Sequence, residues 1–358
     1  MTTITEQSAP NASAAILSAY QGKVRWRLAV LVLLVLMCAG ALVLDMITGP
    51  SSLTAAQVWG GLWDPSSVSN AQHTIIWNVR LPYALMAMLV GAALSLAGAE
   101  MQAILNNPLA SPFTLGVSSA ASFGAALAIV LGISLPFVPV EWMVSLNAFI
   151  FALGSVLLLQ LMARLRSTSV ETMVLLGIAL VFVFNALVAF VQFASSQAAL
   201  QQLVFWSMGS LSRATWSNVG ILALVLLLVV PFSLASSSKL TALRLGEDRA
   251  RSFGINVGRL RFMALLRVSL LAATSVAFVG TIGFIGLVGP HIARLMLGED
   301  HRFLLPGSIL TGALIMALAS ATSKVLIPGV LLPVGIVTSI VGVPVFLLLI
   351  FWKPGGQS

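Results

Sequence analysis

Ten acidic residues, 18 basic residues, three histidines and one cysteine are the groups in this 358-residue chain that could do chemistry. Their spacing matches no catalytic pattern. A phosphate loop needs a glycine-rich turn whose N–H groups cradle phosphate, followed by a lysine. The chain has four lysines, and only Lys23 follows a glycine, in Gln21-Gly22-Lys23-Val24. The chain is therefore not expected to hydrolyse ATP itself. No H-E-x-x-H zinc helix and no G-x-S-x-G nucleophile elbow occurs. His73, His291 and His301 stand too far apart in sequence for a local metal cluster. Ser118 and His291 could be imagined as an intramembrane nucleophile and base, but nothing in their spacing supports the pair. Cys38 lies in an apolar run without a partner cysteine. The expectation is a protein that is not an enzyme and binds no cofactor or metal of its own.

Two features remain. Glu100 is the one acidic residue clearly inside a long apolar stretch, where a charge is costly and often functional. It lies about a turn or two from the break at Asn106. One reading is a carboxylate that hydrogen-bonds neighbouring helices. The other is a pore-lining or proton-coupling group. A proton-driven carrier would show more such groups, and Arg267 is the only other candidate. The second feature is segment 239–261, KLTALRLGEDRARSFGINVGRLR, the most charged part of the chain. Leu245, Arg249 and Ser252-Phe253 can share one helical face, and Gly254 stands where a helix C-cap is expected. This predicts a short helix-turn-helix between two apolar runs. It is either a solvated basic loop or a docking knob for a partner.

The elements that position these groups follow from composition. Apolar residues make up 59% of the chain and charged residues 8%, too few charges to cover a soluble surface. The fold class expected is all-α, a polytopic transmembrane bundle with room for about ten spans. Residues 1–22 read as a disordered tail and 23–353 as the membrane domain. Spans are expected near 28–44, 82–104, 112–133, 142–162, 172–193, 216–234, 262–281, 284–297, 304–325 and 332–352. Asn106-Asn107-Pro108 stops the second, because proline cannot continue a helix. Segment 194–213 is too short to span and predicts a short interfacial or re-entrant helix with Trp206. Basic residues fall in clusters between apolar runs, the pattern that orients membrane proteins. It gives no phosphate-tracking face for nucleic acid. With both termini cytoplasmic, only Arg80, Arg213 and Lys324 fall outside. Small residues recur four apart, at Gly91, Ser95 and Ala99 and at Gly116, Ala120 and Gly124, the spacing that lets helices approach closely in lipid.

Several stretches together resemble a known family. They are Val79-Arg80-Leu81-Pro82, Gln102, Asn107-Pro108-Leu109-Ala110, Leu115-Gly116-Val117-Ser118 and Ser167-Thr168-Ser169. Further along come Leu245-Gly246-Glu247, Phe253-Gly254-Ile255, Gly283 to Val288, Pro290 to Leu295, Asp300-His301-Arg302, Leu305-Pro306 and Leu332 to Thr338. The chain resembles the permeases of bacterial ABC importers for iron–siderophores, haem and cobalamin, over residues 25–353. The resemblance implies a ten-span inner-membrane permease that pairs with a second, identical or related, permease subunit. It also implies two cytoplasmic ATPase subunits, which use ATP and Mg, and an extracytoplasmic substrate-binding protein. By the same resemblance, Leu245, Gly246, Glu247, Phe253 and Gly254 couple to the ATPase. Asn107, Leu109, Thr168 and Ser169 form the cytoplasmic gate. Arg80 and Lys324 face acidic residues of the binding protein as exposed charges. A ferric siderophore is the expected cargo, with haem or cobalamin as the alternative and an ion-coupled secondary carrier as the competing class. Two positions depart from the family pattern: Glu100 replaces a small or apolar residue, and Ser320 stands where an aspartate is usual.

Overall fold

The computed structural model describes residues 9–51, 53–165 and 170–351, and among these every regular element is helical. Helix α1 runs over Ala9–Ile47, α2 over Ala55–Trp63 and α3 over Asn70–Thr74. A π-helical stretch, Ile75–Arg80, joins α3 to α4, Leu81–Ile104. Then come α5 (Val117–Leu131), α6 (Val140–Leu165), α7 (Val170–Phe193), α8 (Gln197–Ser207) and α9 (Trp216–Ala235). Two short helices, α10 (Ser237–Leu243) and α11 (Glu247–Ser252), lead into α12 (Val257–Val279). The chain ends with α13 (Ile285–Leu297), α14 (His301–Val325) and α15 (Val334–Phe351). Among the described residues, seven helices are long and apolar enough to cross a bilayer, while α5, α13 and α15 are shorter apolar helices. The chain is a polytopic helical membrane bundle. Helix α1 already begins at Ala9, so residues 9–22, read from sequence as a disordered tail, continue the first helix. Ala12, Ala14, Ala15 and Ala19 favour that state, alanine being the strongest helix former.

Local chemistry explains where the helices start and stop. Thr54, Ser69, Ser196, Thr215 and Asn256 each accept an early backbone N–H of the helix they precede. Gly132 and Gly298 close α5 and α13 at positive φ, which glycine adopts without a Cβ clash. The π stretch ends beside Pro82, which has no N–H for the turn before it. There Leu81 donates five residues back, to Ile76.

Helices α4 and α12 are the most enclosed, and α7 the least. The packing around α4 is backbone against backbone. A Cβ on Gly98 would stand 1.8 Å from the Gly286 carbonyl oxygen of α13. One on Gly91 would stand 2.2 Å from the Gly312 carbonyl of α14, and one on Gly312 2.3 Å from the Gly91 carbonyl. Ser95 fills the space left by Gly289 and Gly312. The second ladder works in the same way, since Gly124 of α5 faces the Asn147 carbonyl of α6. Both ladders read in the sequence therefore join helices within this subunit. In lipid, where apolar burial gives little drive, such close van der Waals packing holds helices together.

Ion pairs fix the relative directions. Arg27 meets Asp300 at 3.6 Å near the starts of the spanning parts of α1 and α14, and Asp45 meets Lys324 at 2.9 Å near their ends. The two helices are thus parallel. Helix α4 runs the other way, with Arg80 and Tyr83 by Asp45 and Ile104 by Arg261. One end of the bundle gathers Arg27, Arg244, Glu247, Arg261, Arg294 and Asp300. We call it the basic end.

Candidate transport site

Two helix breaks meet in the middle of the bundle. After α4, residues 105–116 turn back without becoming a full helix, and Pro112 starts one 3-10 turn to Leu115. After α12, residues 280–284 are non-helical. Gly286 lies beside the Leu94 carbonyl and the Pro112 ring, halfway along α4. Open backbone at membrane depth is tolerated only where protein covers it or where it lines a cavity. Here it lines one. A cavity of about 510 Å³ opens between these breaks, the end of α8 and the start of α15. Its hydroxyls come from Ser111, Thr114, Ser207, Thr281 and Ser339, and its apolar wall includes Phe113, Met208 and Phe284. No lining residue carries a charge.

Helix α8 occupies the segment read as a short non-spanning helix. Its Trp206 is buried, and the turn after it is tied down from both sides. Ser210 N–H donates to the Val279 carbonyl at 2.7 Å, and Gly335 N–H donates to the Gly209 carbonyl at 3.1 Å. Phe284 sits at φ +67°, a sparsely populated region for an aromatic residue. Its side chain stands between the main cavity and a second one of about 240 Å³ walled by α13, α14 and α15. Gly342 makes room for it, because a Cβ there would be 2.6 Å from the Phe284 Cβ.

Asn107 and Leu109, two of the residues expected at a gate, lie at the basic end, beside Gln102 and Ile104. The Asn107 side-chain oxygen accepts the Leu109 N–H at 2.9 Å, and Asn107 N–H donates to the Gln102 carbonyl at 3.1 Å. This Asx turn closes α4 and presents Leu109 outward, about half exposed. Thr168 and Ser169 lie outside the described residues. The knob is built as its glycines require. Gly246 at φ +109° and Gly254 at φ +77° bracket α11, and Gly254 N–H donates to the Arg251 carbonyl. Leu245 and Phe253 are both more than half exposed, apolar side chains at the tip of a charged knob. Glu247 turns back from the tip and pairs with Arg251 at 3.1 Å and Arg261 at 3.0 Å. Nearby, hydrogen bonds from Arg302 hold the Asp300 carboxyl below its usual range, and the same carboxylate caps α14 by accepting the Arg302 N–H at 3.1 Å.

The FecCD transport family's sequence profile matches residues 27–352. The chain belongs to the FecCD transport family. It is 36% identical to the hemin transport permease HmuU of Yersinia pestis, over 90% of this chain and 93% of that one. It is also 36% identical to the vitamin B12 import permease BtuC of Vibrio vulnificus, with the same coverage. Among solved structures, it resembles a metal-chelate type ABC transporter in an inward-facing conformation. The TM-score is 0.80 and the identity 31%, over 90% of this chain and 99% of that one. The chain is thus a permease of an ABC importer.

The far end of this FecCD permease corrects the sequence reading. Arg80 and Lys324, expected to be exposed charges facing a partner, are 5% and 7% exposed. Arg80 reaches the C-terminus of α1 and donates to the carbonyls of Met46, Ile47 and Ser51 at 2.7–3.0 Å. Lys324 donates to the Asp45 carbonyl at 2.8 Å, pairs with its carboxylate, and lies 4.4 Å from the Tyr83 ring centroid. Two cations thus cap one helix end, where the carbonyls concentrate negative charge. The unusual Ser320 fits this arrangement, because its hydroxyl donates to Asp45 at 2.7 Å. The carboxylate that pairs with Lys324 comes from Asp45 of α1. Sequence alone does not single out Asp45, because it sits at the edge of an apolar run, where a charge reads as a span boundary. Arg80→Gln is expected to destabilise the fold by about 2 kcal/mol or more by leaving charge-capped carbonyls without donors. Hydrogen exchange should show faster opening of residues 44–51 in the variant, with α6 and α7 unchanged.

The FecCD permease also contains the pair Glu100–Arg267. Glu100 is fully buried on α4, and the Arg267 Nε of α12 donates to both its carboxylate oxygens at 3.0 Å. Glu100 and Arg267, the two intramembrane charges singled out from the sequence, are thus each other's partners, 167 residues apart.

Proposed function

We propose that this permease passes an intact metal chelate, with a ferric siderophore as cargo, through the bacterial inner membrane, driven by a separate ATPase. The observation that carries the reading is the mid-bundle cavity. Its wall of hydroxyls and apolar groups suits an organic shell that presents carbonyls and hydroxyls and hides its metal. Its volume lies within the usual range for small-molecule sites, roughly 300–1,000 Å³. Haem or cobalamin import by the same architecture is the alternative, supported by the names of the HmuU and BtuC relatives.

In this reading the basic end faces the cytoplasm, following the positive-inside rule. A cytoplasmic ATPase receives Leu245 and Phe253 of the knob. The gate is the Asn107–Leu109 turn with Thr168 and Ser169. The apolar faces of α7 and α15 are available to lipid and to a second permease subunit. An extracytoplasmic binding protein delivers the chelate to the far end.

Uptake into proteoliposomes tests this. Ferric siderophore should enter only when ATPase, ATP, Mg and binding protein are supplied, and an uncoupler should leave uptake unchanged. Uptake without ATPase, collapsing with uncoupler, would establish an ion-coupled carrier instead. Uptake of haem or cobalamin with none of the siderophore would move the assignment to the alternative cargo. Gly254→Pro gives a sharper check. Proline cannot adopt φ +77°, and it removes the N–H that closes α11. The variant should insert normally yet lose ATP-driven uptake. Normal uptake with intact ATPase stimulation would refute the knob assignment.

A further inference from the structure

We infer that two chains of charged side chains connect the α10–α11 knob to the last turn of α4 and set the position of the Asn107–Leu109 turn. Arg261, Arg294 and Glu299 are the positioning residues. The inference rests on the coupling role proposed for the knob. The first chain starts at Glu247, the first residue of α11. Its carboxylate accepts from Arg261 Nη1 at 3.0 Å and from Nη2 at 3.3 Å. The same guanidinium donates through Nε to the carbonyl of Ile104, the final residue of α4, at 3.1 Å. One rigid, planar group therefore holds knob and helix end together, and its fork geometry allows little independent movement.

The second chain starts at Arg244, which follows α10 and pairs with Glu299. Glu299 also accepts from Arg294 Nε of α13 at 3.1 Å. Arg294 Nη2 then donates to the Gln102 side-chain oxygen at 2.8 Å. The backbone carbonyl of Gln102 accepts the Asn107 N–H. Arg294 thereby ties the knob to the gate turn and also to α13, whose first turn borders the cavity through Leu287. Both chains leave the knob and converge within three residues of α4, directly before the turn that presents Leu109.

A bland reading is available for each pair alone, since exposed ion pairs contribute little to stability. The arrangement argues otherwise. Arg261 and Arg294 keep only 20% and 13% of their side-chain surface exposed, and each makes contact with two different elements. A knob displaced by its partner must either carry the end of α4 along or break these contacts.

The test uses the full complex with ATPase and binding protein in proteoliposomes. A fluorescent label at Leu109→Cys in a Cys38→Ser background reports the turn. Arg294→Gln, Arg261→Gln and the double variant should still co-purify with the ATPase and hydrolyse ATP. Chelate moved per ATP should fall about tenfold or more in the double variant. The label's response to nucleotide should vanish with it. Arg294→Lys should recover only part of the coupling, because an ammonium on a flexible stem lacks the rigid planar fork that holds Glu299 and Gln102 in fixed relation. Transport per ATP within about twofold of the parent, or an unchanged label response, would overturn the inference. So would loss of ATPase co-purification, which would make these residues part of the docking contact. If the parent protein itself shows no ATP-driven uptake, the proposed function fails, and this inference falls with it. Normal variants beside a working parent remove only the inference.

Discussion

Replacing Gly98 with alanine should leave little folded permease in the membrane, and Gly98→Leu should leave none. The added Cβ would stand 1.8 Å from the Gly286 carbonyl oxygen, far inside van der Waals contact. That oxygen belongs to the backbone of α13 and cannot rotate away like a side chain. Ordinary overpacking in a core costs about 1–3 kcal/mol because neighbours shift. Here α4 and α13 must separate, opening the contact at Gly289 and Ser95 as well. The expected cost is about 5 kcal/mol or more, at the extreme of single substitutions. Gly154 of α6 is the control, since a Cβ there meets nothing within 4 Å. Thermal melts and size-exclusion profiles of detergent-purified protein should show Gly154→Ala behaving like the parent and Gly98→Ala aggregated or absent. A Gly98→Ala melt matching the parent would contradict the backbone contact.

The buried pair on α4 and α12 gives the second large effect. Glu100→Gln leaves the Arg267 guanidinium buried without a counter-charge, an expected loss of about 3–5 kcal/mol. Replacing both, Glu100→Leu with Arg267→Met, removes the charges together and should return stability to within about 1–2 kcal/mol of the parent. Melting temperatures of the three proteins test the sign and the non-additivity. Transport by the double variant then separates the two readings of Glu100. A carboxylate that only joins helices can be lost with its partner, and ATP-driven uptake survives. A carboxylate that carries protons cannot, and uptake would stop in a protein that still melts normally.

Much of this was legible from residue order alone. A bilayer demands about 20 apolar residues for each long crossing, so each helix announces itself within its own stretch. The break at Asn106-Asn107-Pro108, the glycine that ends α11 and the short helix before Trp216 are equally local, because proline, glycine and capping side chains act on backbone groups within four residues. The assignment of the small-residue ladders to close helix packing was also within reach, although the partners were not. Nothing in the spacing of Gly91 or Gly98 says that α14 and α13 lie opposite.

What only the tertiary structure decided was the meaning of the scattered charges. Arg80 and Lys324 read as exposed because they end spans, where a long cationic side chain can snorkel to water. The fold instead brings the C-terminus of α1 to them, with its carbonyls and Asp45. Glu100 and Arg267 read as isolated charges and the two candidates for proton coupling, and they neutralise each other across 167 residues. Hydrophobicity adds up along the chain and needs no partner, so sequence order is enough to place a span. A charge inside that span is settled only by what stands within about 4 Å of it. That neighbour is chosen by helix packing, through backbone contacts such as Gly98 against Gly286.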